Sequence, residues 1–198
     1  MSNPVREPDT ITTQPTVEPW TIEDIKRQTR IDGAFDNDTM MLAGYAARRA
    51  VENHLRLNLI DTVRAYRLTN WPNSDTIWLK WGPIDSVGSI TYIDSAGASQ
   101  TLATSVYDVD LYNRPGRVFL KYNQEWPSIR GDTYGIVVNY TAGYGTASTD
   151  VPEDVRIAIL MLAAHWVRTR EAVSDEKLME VPMGFRHLLS RQRTVIAR

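Results

Sequence analysis

Residues Val151 to Val167 read VPEDVRIAILMLAAHWV, a helix that opens on a proline and two acids and then turns apolar almost all the way round. A surface helix of a small domain needs an apolar stripe only about 100° wide, with a polar face opposite. From Ile157 to Val167 only His165 is clearly polar, so the pattern predicts cover by the chain's own domain on one side and by something else on the other. The stretch is too short for a bilayer span, which needs roughly 20 apolar residues. The expected cover is a neighbouring subunit.

The chain of 198 residues suits one domain, or a domain with an appendage, and can bury a core without metals or disulfides. It contains no cysteine. That removes disulfide scaffolds, thiolate catalysis and cysteine zinc sites, and it suits synthesis in a reducing cytosol. The net charge of -2 provides no global attraction to nucleic acid, but the C-terminal stretch is basic, with Arg186, Arg191, Arg193 and Arg198 against the single acid Glu180. The first 19 residues hold Pro4, Pro8, Pro15 and Pro19 and no apolar run, so they are read as an extended arm and neither a signal peptide nor a membrane anchor.

Following hydrophobic period along the chain separates three zones. In the first, Thr21 with Asp24 forms a variant capping box that starts a short helix ending near Arg30. Asp36 and Asp38 then introduce a second helix, Thr39 to Leu57, with Met41, Tyr45, Arg48, Glu52 and Leu55 assigned to one face and Leu42, Ala46 and Ala50 beside it. From Thr62 to Gly143 the period becomes two, and seven strands are expected, the first over Thr62 to Leu68 and the last over Ile136 to Tyr140. Asp94-Ser95-Ala96-Gly97 reads as a tight hairpin and Asn113-Arg114-Pro115-Gly116 as a turn. The third zone holds the apolar helix and another from Pro182 to about Arg193, with Phe185, Leu188 and Leu189 on one face. The expected fold is α+β: a helical core of two long helices plus short N- and C-terminal helices, with a small antiparallel β-sheet or barrel inserted. The corresponding organisation is an arm over 1–19, a helical core over 20–61 and 151–189, a β insertion over 62–150 and a basic tail over 190–198.

Catalytic chemistry needs converging groups, and few candidates converge. His54, His165 and His187 lack metal-ligand spacing, and His165 reads as a histidine bonded at an interface or to backbone. Tyr140-Thr141-Ala142-Gly143-Tyr144-Gly145 lacks the third glycine and directly following helix of a dinucleotide loop. It reads as a glycine turn, with positive φ at both glycines. Asp108 and Asp110 share one face of a strand, a candidate surface cation site without calcium-loop spacing. Glu153 and Asp154 are explained by the helix N-terminus they occupy. Six tryptophans raise the idea of a ligand-stacking platform, but core or subunit contact is the favoured reading. The arginine-rich end suits three uses: solvating one helix face and complementing its C-terminal dipole, docking into an acidic partner surface, or facing DNA, with the partner favoured. No cofactor and no metal is implied.

The order of parts resembles the head-tail connector, or adaptor, proteins of tailed bacteriophages. The resemblance runs through Val17-Glu18-Pro19-Trp20-Thr21-Ile22-Glu23-Asp24-Ile25-Lys26, Ile90-Thr91-Tyr92-Ile93-Asp94 and Tyr107-Asp108-Val109-Asp110. It continues in Pro115-Gly116-Arg117-Val118, Trp126-Pro127, Tyr140 to Gly145, Val151-Pro152 and Ala163-Ala164-His165-Trp166. It covers roughly Thr16 to Leu189. It implies a structural virion protein, made in the bacterial host cytoplasm, that forms a homo-oligomeric ring, commonly of twelve copies, beneath the portal protein. The ring carries the next neck or tail protein and lets double-stranded DNA pass its channel without sequence reading, with no membrane partner and no catalytic residues. By analogy, Leu160, Ala164 and Trp166 are assigned to the subunit interface, and Phe185, Arg186, Leu188, Arg191, Arg193 and Arg198 to the portal.

Other classes remain as alternatives. A carbohydrate hydrolase using Asp108 and Glu125 needs carboxyls roughly 5 to 10 Å apart in a cleft. A DNA-binding module would use the arginine-rich end and lose affinity steeply with salt. A stopper, another neck protein, would be mostly β.

Overall fold

Period-two patterning from Thr62 onward does build strands, and the computed structural model, which describes residues 8–31, 33 and 36–168, adds one more from the stretch read as an arm. The strands are β1 (Asp9–Thr13), β2 (Thr62–Leu68), β3 (Thr76–Trp78), β4 (Ile84–Ile93), β5 (Ser99–Thr101), β6 (Tyr107–Asp110), β7 (Arg117–Leu120) and β8 (Ile136–Ala142). They form two antiparallel sheets, of order β1-β2-β8-β4-β5 and β3-β7-β6. Together they make one of two compact units, which among the described residues comprises 8–15 and 61–144.

Alternation explains the core of this unit. Along β8, Ile136, Val138, Tyr140 and Ala142 are buried while the residues between them are half-exposed, the signature of a strand with one apolar face. They pack with Ile90 of β4 and Val118 of β7, so both sheets contribute to a single core. The hairpin after β4 is closed by Asp94, whose Oδ1 accepts the backbone N–H groups of Ala96 and Ala98, each at 2.9 Å, with Gly97 at φ +87°.

The second unit holds 16–60 and, among the described residues, 145–168. Its helices are α1 (Ile22–Thr29), α2 (Asn37–Leu55) and α3 (Glu153–Arg168), with a 3-10 turn over Ser148–Asp150. The capping box at α1 forms as read: Asp24 N–H donates to Thr21 Oγ1 at 3.2 Å and Thr21 N–H to Asp24 Oδ2 at 2.9 Å. Partial burial works against the Asp24 carboxylate, but the Thr21 hydrogen bonds prevail and hold its pKa below the usual range. Asp36 takes the N-cap position of α2 without a side-chain capping bond.

The buried face of α2 includes Arg48, Glu52 and Leu55 of the grouping read from sequence, with Met40 and Gly44 rather than Met41 and Tyr45. Met40, Gly44, Ala47, Arg48, Val51, Glu52 and Leu55 point inward, whereas Tyr45 is half-exposed and Leu42 is 69% exposed. Gly44 is required on this face, because the Trp20 indole lies on it so closely that a Cβ there would stand 2.5 Å from the ring. Trp20 also meets Tyr45 edge to face, with ring centroids 5.3 Å apart.

Helix α2 carries two charged side chains, Arg48 and Glu52, deep into this unit, where Glu18 joins them. Arg48 Nε lies 2.8 Å from Glu18 Oε2 and Arg48 Nη1 3.0 Å from Glu52 Oε2. Glu52 Oε1 in turn accepts the Leu59 backbone N–H at 3.1 Å. Burial raises the Glu18 pKa, and the Glu52 charge adds to it against the opposing pull of Arg48.

The expected α+β arrangement, a helical core of two long helices with one inserted sheet or barrel, is overturned. The described residues hold three helices and eight strands, helix and strand in about equal share, and the strands make two sheets. The physical reason is that the β region closes a core of its own from both sheets, and that β1 joins it from ahead of the first helix.

Three substitutions test these contacts. Gly44→Ala is expected to lose about 1–3 kcal/mol through overpacking against Trp20, read by chemical denaturation. Arg48→Ala should lose about 3–5 kcal/mol by stranding two buried carboxylates. Glu18→Gln should cost little or stabilise at neutral pH. A carboxyl with a raised folded-state pKa favours the fold below its unfolded pKa of about 4.5 and loses that advantage as pH rises, so the gain from Glu18→Gln should vanish in acid.

Candidate interaction surfaces

No described residue group of three or more His, Cys, Asp or Glu is placed to hold a metal ion. Asp108 and Asp110 are instead occupied by their neighbours. Asp108 lies 3.5 Å from Lys121 Nζ. Asp110 accepts the backbone N–H groups of Tyr112 and Asn113, the Asn113 side-chain amide and Arg117 Nε at 3.1 Å, which makes it the organiser of the β6–β7 turn. Those bonds, the Asn113 amide first, hold its pKa below the usual carboxylate range. Glu125 is exposed, and neither it nor Asp108 lines the cavity of about 570 Å³ that opens between Tyr66 and Lys80 in the β unit.

The glycine run after β8 is explained by close approach. Gly143 is glycine because a Cβ would collide with the backbone and carboxyl of Asp61, while its N–H donates to the Pro83 carbonyl at 2.9 Å. Only Gly145 of the pair has positive φ, at +146°, and a Cβ there would meet the Asp150 carboxyl. The expectation of positive φ at both glycines is therefore corrected at Gly143.

The tryptophans likewise divide by what they touch. Trp71 and Trp126 stack face to face, centroids 4.7 Å apart and planes 8° from parallel, with Tyr92 tilted against Trp71. The Trp71 Nε1–H donates to the Pro127 carbonyl at 2.8 Å and the Trp126 Nε1–H to the Ser74 carbonyl at 3.1 Å. Each ring thus grips the loop that carries the other, and the pair fastens the segment after β2 to the segment after β7. Trp78 stands 48% exposed with the Arg117 guanidinium over its ring.

Helix α3 divides into faces more sharply than its composition suggests. Val155, Ala158, Ile159, Leu162, Ala163, Ala164 and Val167 are buried within the chain. Of the three residues assigned to a subunit interface, Ala164 is only 6% exposed, Leu160 is half-buried and Trp166 is 37% exposed. Six positions at 100° each set Leu160 and Trp166 about 120° apart, so the three do not form one face. Ile157, 50% exposed, and Met161, half-buried, do share a face with Leu160 at helical spacing. His165 is half-buried at its margin. A second apolar strip, Leu42 with Tyr45 and the exposed Ala46, lies on α2. The i, i+3, i+4 spacing of both strips was in the sequence, but an almost uniformly apolar helix does not announce which of its faces is left open. Phe185, Arg186, Leu188, Arg191, Arg193 and Arg198, with the helix expected over 182–193, lie outside the described residues.

The sequence and the fold are similar to known proteins. The family description "Head completion protein" matches residues 20–177. The chain belongs to the head completion protein family, structural proteins of the head-tail connection in phage-like virions. Among solved structures, it is similar to a chain of the neck of an empty gene transfer agent particle computed with C6 symmetry, at 20% identity and a TM-score of 0.78, covering 96% of this chain and 97% of that one. A chain of the virion of a native gene transfer agent particle is 21% identical with a TM-score of 0.77, again covering 96% and 97%. A third, from the neck of a native particle computed with C12 symmetry, is 22% identical with a TM-score of 0.70 and the same coverage. No curated protein sequence matches.

Trp126→Phe should keep the stacked pair and lose only the bond to Ser74, costing about 0.5–1.5 kcal/mol. Trp126→Ala should cost more than Trp126→Phe by at least the stacking contribution of about 0.5–1.5 kcal/mol, both measured by urea denaturation.

Proposed function

We propose that this chain is the adaptor of its particle: a homo-oligomeric ring of twelve copies that docks under the portal protein, supports the next neck or tail protein and encircles the passing DNA. Its part is geometric, with no catalysis. Family membership over 20–177 carries this reading, and the two separate apolar strips on α2 and α3 support it. A closed ring is a heterologous assembly in which one face of each copy meets a different face of the next, and two unlike strips on one unit supply such a pair. In this reading Leu160 works with Ile157 and Met161, Trp166 contributes a separate contact, and Ala164 supports them from beneath. Phe185, Arg186, Leu188, Arg191, Arg193 and Arg198 contact the portal.

The first test is mass in solution, with and without a portal ring. The free chain has a mass of 22.5 kDa, and twelve copies joining the portal would add about 270 kDa. A monomer that ignores the portal would end the adaptor reading. Leu160→Asp and Leu42→Asp should leave the melting temperature within a few degrees, since both side chains have solvent access, yet block ring closure by burying an unpaired charge between copies. Removal of 186–198 should abolish portal binding while the fold remains, and a retained complex would place the portal contact elsewhere.

A further inference from the structure

Strand β1 is fastened to its sheet in an uneven way. Thr10, Ile11, Thr12 and Thr13 are all exposed, and among the described residues the apolar core of the β unit contains no β1 side chain. Its side chains thus add almost nothing to the hydrophobic stabilisation of that unit.

One residue is treated quite differently. The Asp9 carboxyl is 5% exposed and faces Arg64, itself 3% exposed, with Nε 2.7 Å from Oδ1. Tyr140 donates its hydroxyl to Asp9 Oδ2 at 2.6 Å, and Arg64 Nη2 donates to the Asp9 backbone carbonyl at 3.0 Å. Trp81 covers the Arg64 guanidinium, whose carbon is 4.3 Å from the ring centroid. Charge-assisted, shielded bonds of this kind are strong and directional. A strand held by ladder bonds, by exposed threonine bonds to β2 (Thr12 Oγ1 to the Val63 carbonyl at 3.1 Å, Arg67 Nη1 to Thr10 Oγ1 at 2.7 Å) and by one buried acid, without a core contribution, has the anatomy of a docked peptide adding to a sheet edge.

The connection of β1 to the rest of the chain points the same way. The strand belongs to the β unit, but from residue 16 to residue 60 the chain lies in the helical unit. Only Gln14, Pro15, Thr16 and Val17 separate β1 from Glu18, which is fixed on Arg48. Gln14, Thr16 and Val17 are exposed, and the backbone bends at Thr16 and Val17. Pro15 stiffens the connector and keeps Gln14 extended, which lowers the entropy lost when such a connector straightens.

We infer that β1 is exchanged between adjacent copies in the assembled ring, the Asp9 of one copy seating between Arg64 and Tyr140 of the next. The inference rests on the ring proposed above. Exchanged and unexchanged forms make the same β1 contacts, so the exchange costs little and adds a tie between copies. The partner is a second copy of this chain, recognised by an extended segment with a single acid at its first strand position.

The natural absence of cysteine makes the test clean. Thr13 and Val63 are register partners across β1 and β2, so Thr13→Cys with Val63→Cys in the full chain places two thiols within reach of one disulfide. Rings are isolated by mass, oxidised and run on a denaturing gel without reductant. Exchange predicts a ladder of covalent multimers rising to the closed ring, collapsing to single chains on reduction, and a several-fold weaker ladder when Asp9→Asn is added. Rings that yield only internally bridged single chains overturn the exchange while leaving the ring intact. Absence of any ring overturns both readings and is distinguished by the mass measurement.

Discussion

The salt-bridged cluster around Arg48 fixes where the chain enters and leaves the helical unit. Glu18 belongs to the segment that leads into α1, and Glu52 holds the turn after α2 through the Leu59 N–H. One guanidinium therefore determines both the approach to the first helix and the departure toward β2. Burial first, and then the second carboxylate on the same arginine, raises the pKa of Glu18, which registers the cost of holding this charge away from water. The cluster is better understood as a device for placing backbone than as a source of net stability. Trp20, two residues from Glu18, can lie on Gly44 only because this approach is set.

Local signals with a single physical cause were legible in the sequence. The capping box of Thr21 and Asp24, the Asp94 hairpin and the strand over Thr62 to Leu68 each follow from a few neighbouring residues. What local pattern did not disclose was assembly at long range. β1 reads as TITT between prolines, too short and too polar to stand out, and its reason for being a strand is Arg64, 55 positions away. The expected helical core rests on α2 and the apolar α3 flanking the strands in sequence, an order that does not disclose that the strands close a core of their own. On α2 the grouping read from sequence holds for Arg48, Glu52 and Leu55, but Met40 and Gly44, not Met41 and Tyr45, complete the buried face. Alanines at 43, 46, 47 and 50 leave the period ambiguous, and the resolving contact, Trp20 on Gly44, lies outside the helix.

The surfaces were legible to a similar depth. An apolar α3 in need of a second cover is visible in composition, and Ile157, Leu160 and Met161 do remain open. Ala164 was assigned to the interface by analogy alone, and a small residue can suit close contact between subunits. The same smallness suits close packing inside one chain, and burial alone separates the two uses. The tryptophans illustrate the complementary case: a proline after each of Trp71 and Trp126 marked strand ends, but no one-dimensional signal pairs two rings 55 residues apart.

The chain passes between its two units three times among the described residues, at 15–16, 60–61 and 144–145. An appended domain hangs on one peptide link and an inserted domain on two. With three, a pull applied to one unit is divided among three backbone segments before it reaches the other, and a nick at any one leaves the two units still linked through the other two. Neither unit can be lifted out as one continuous cassette, so insertion or exchange of the whole β unit by a single recombination event is closed to this architecture. If the first of those links runs to a neighbouring copy, part of the load on each subunit is carried by the circumference instead of by the subunit itself.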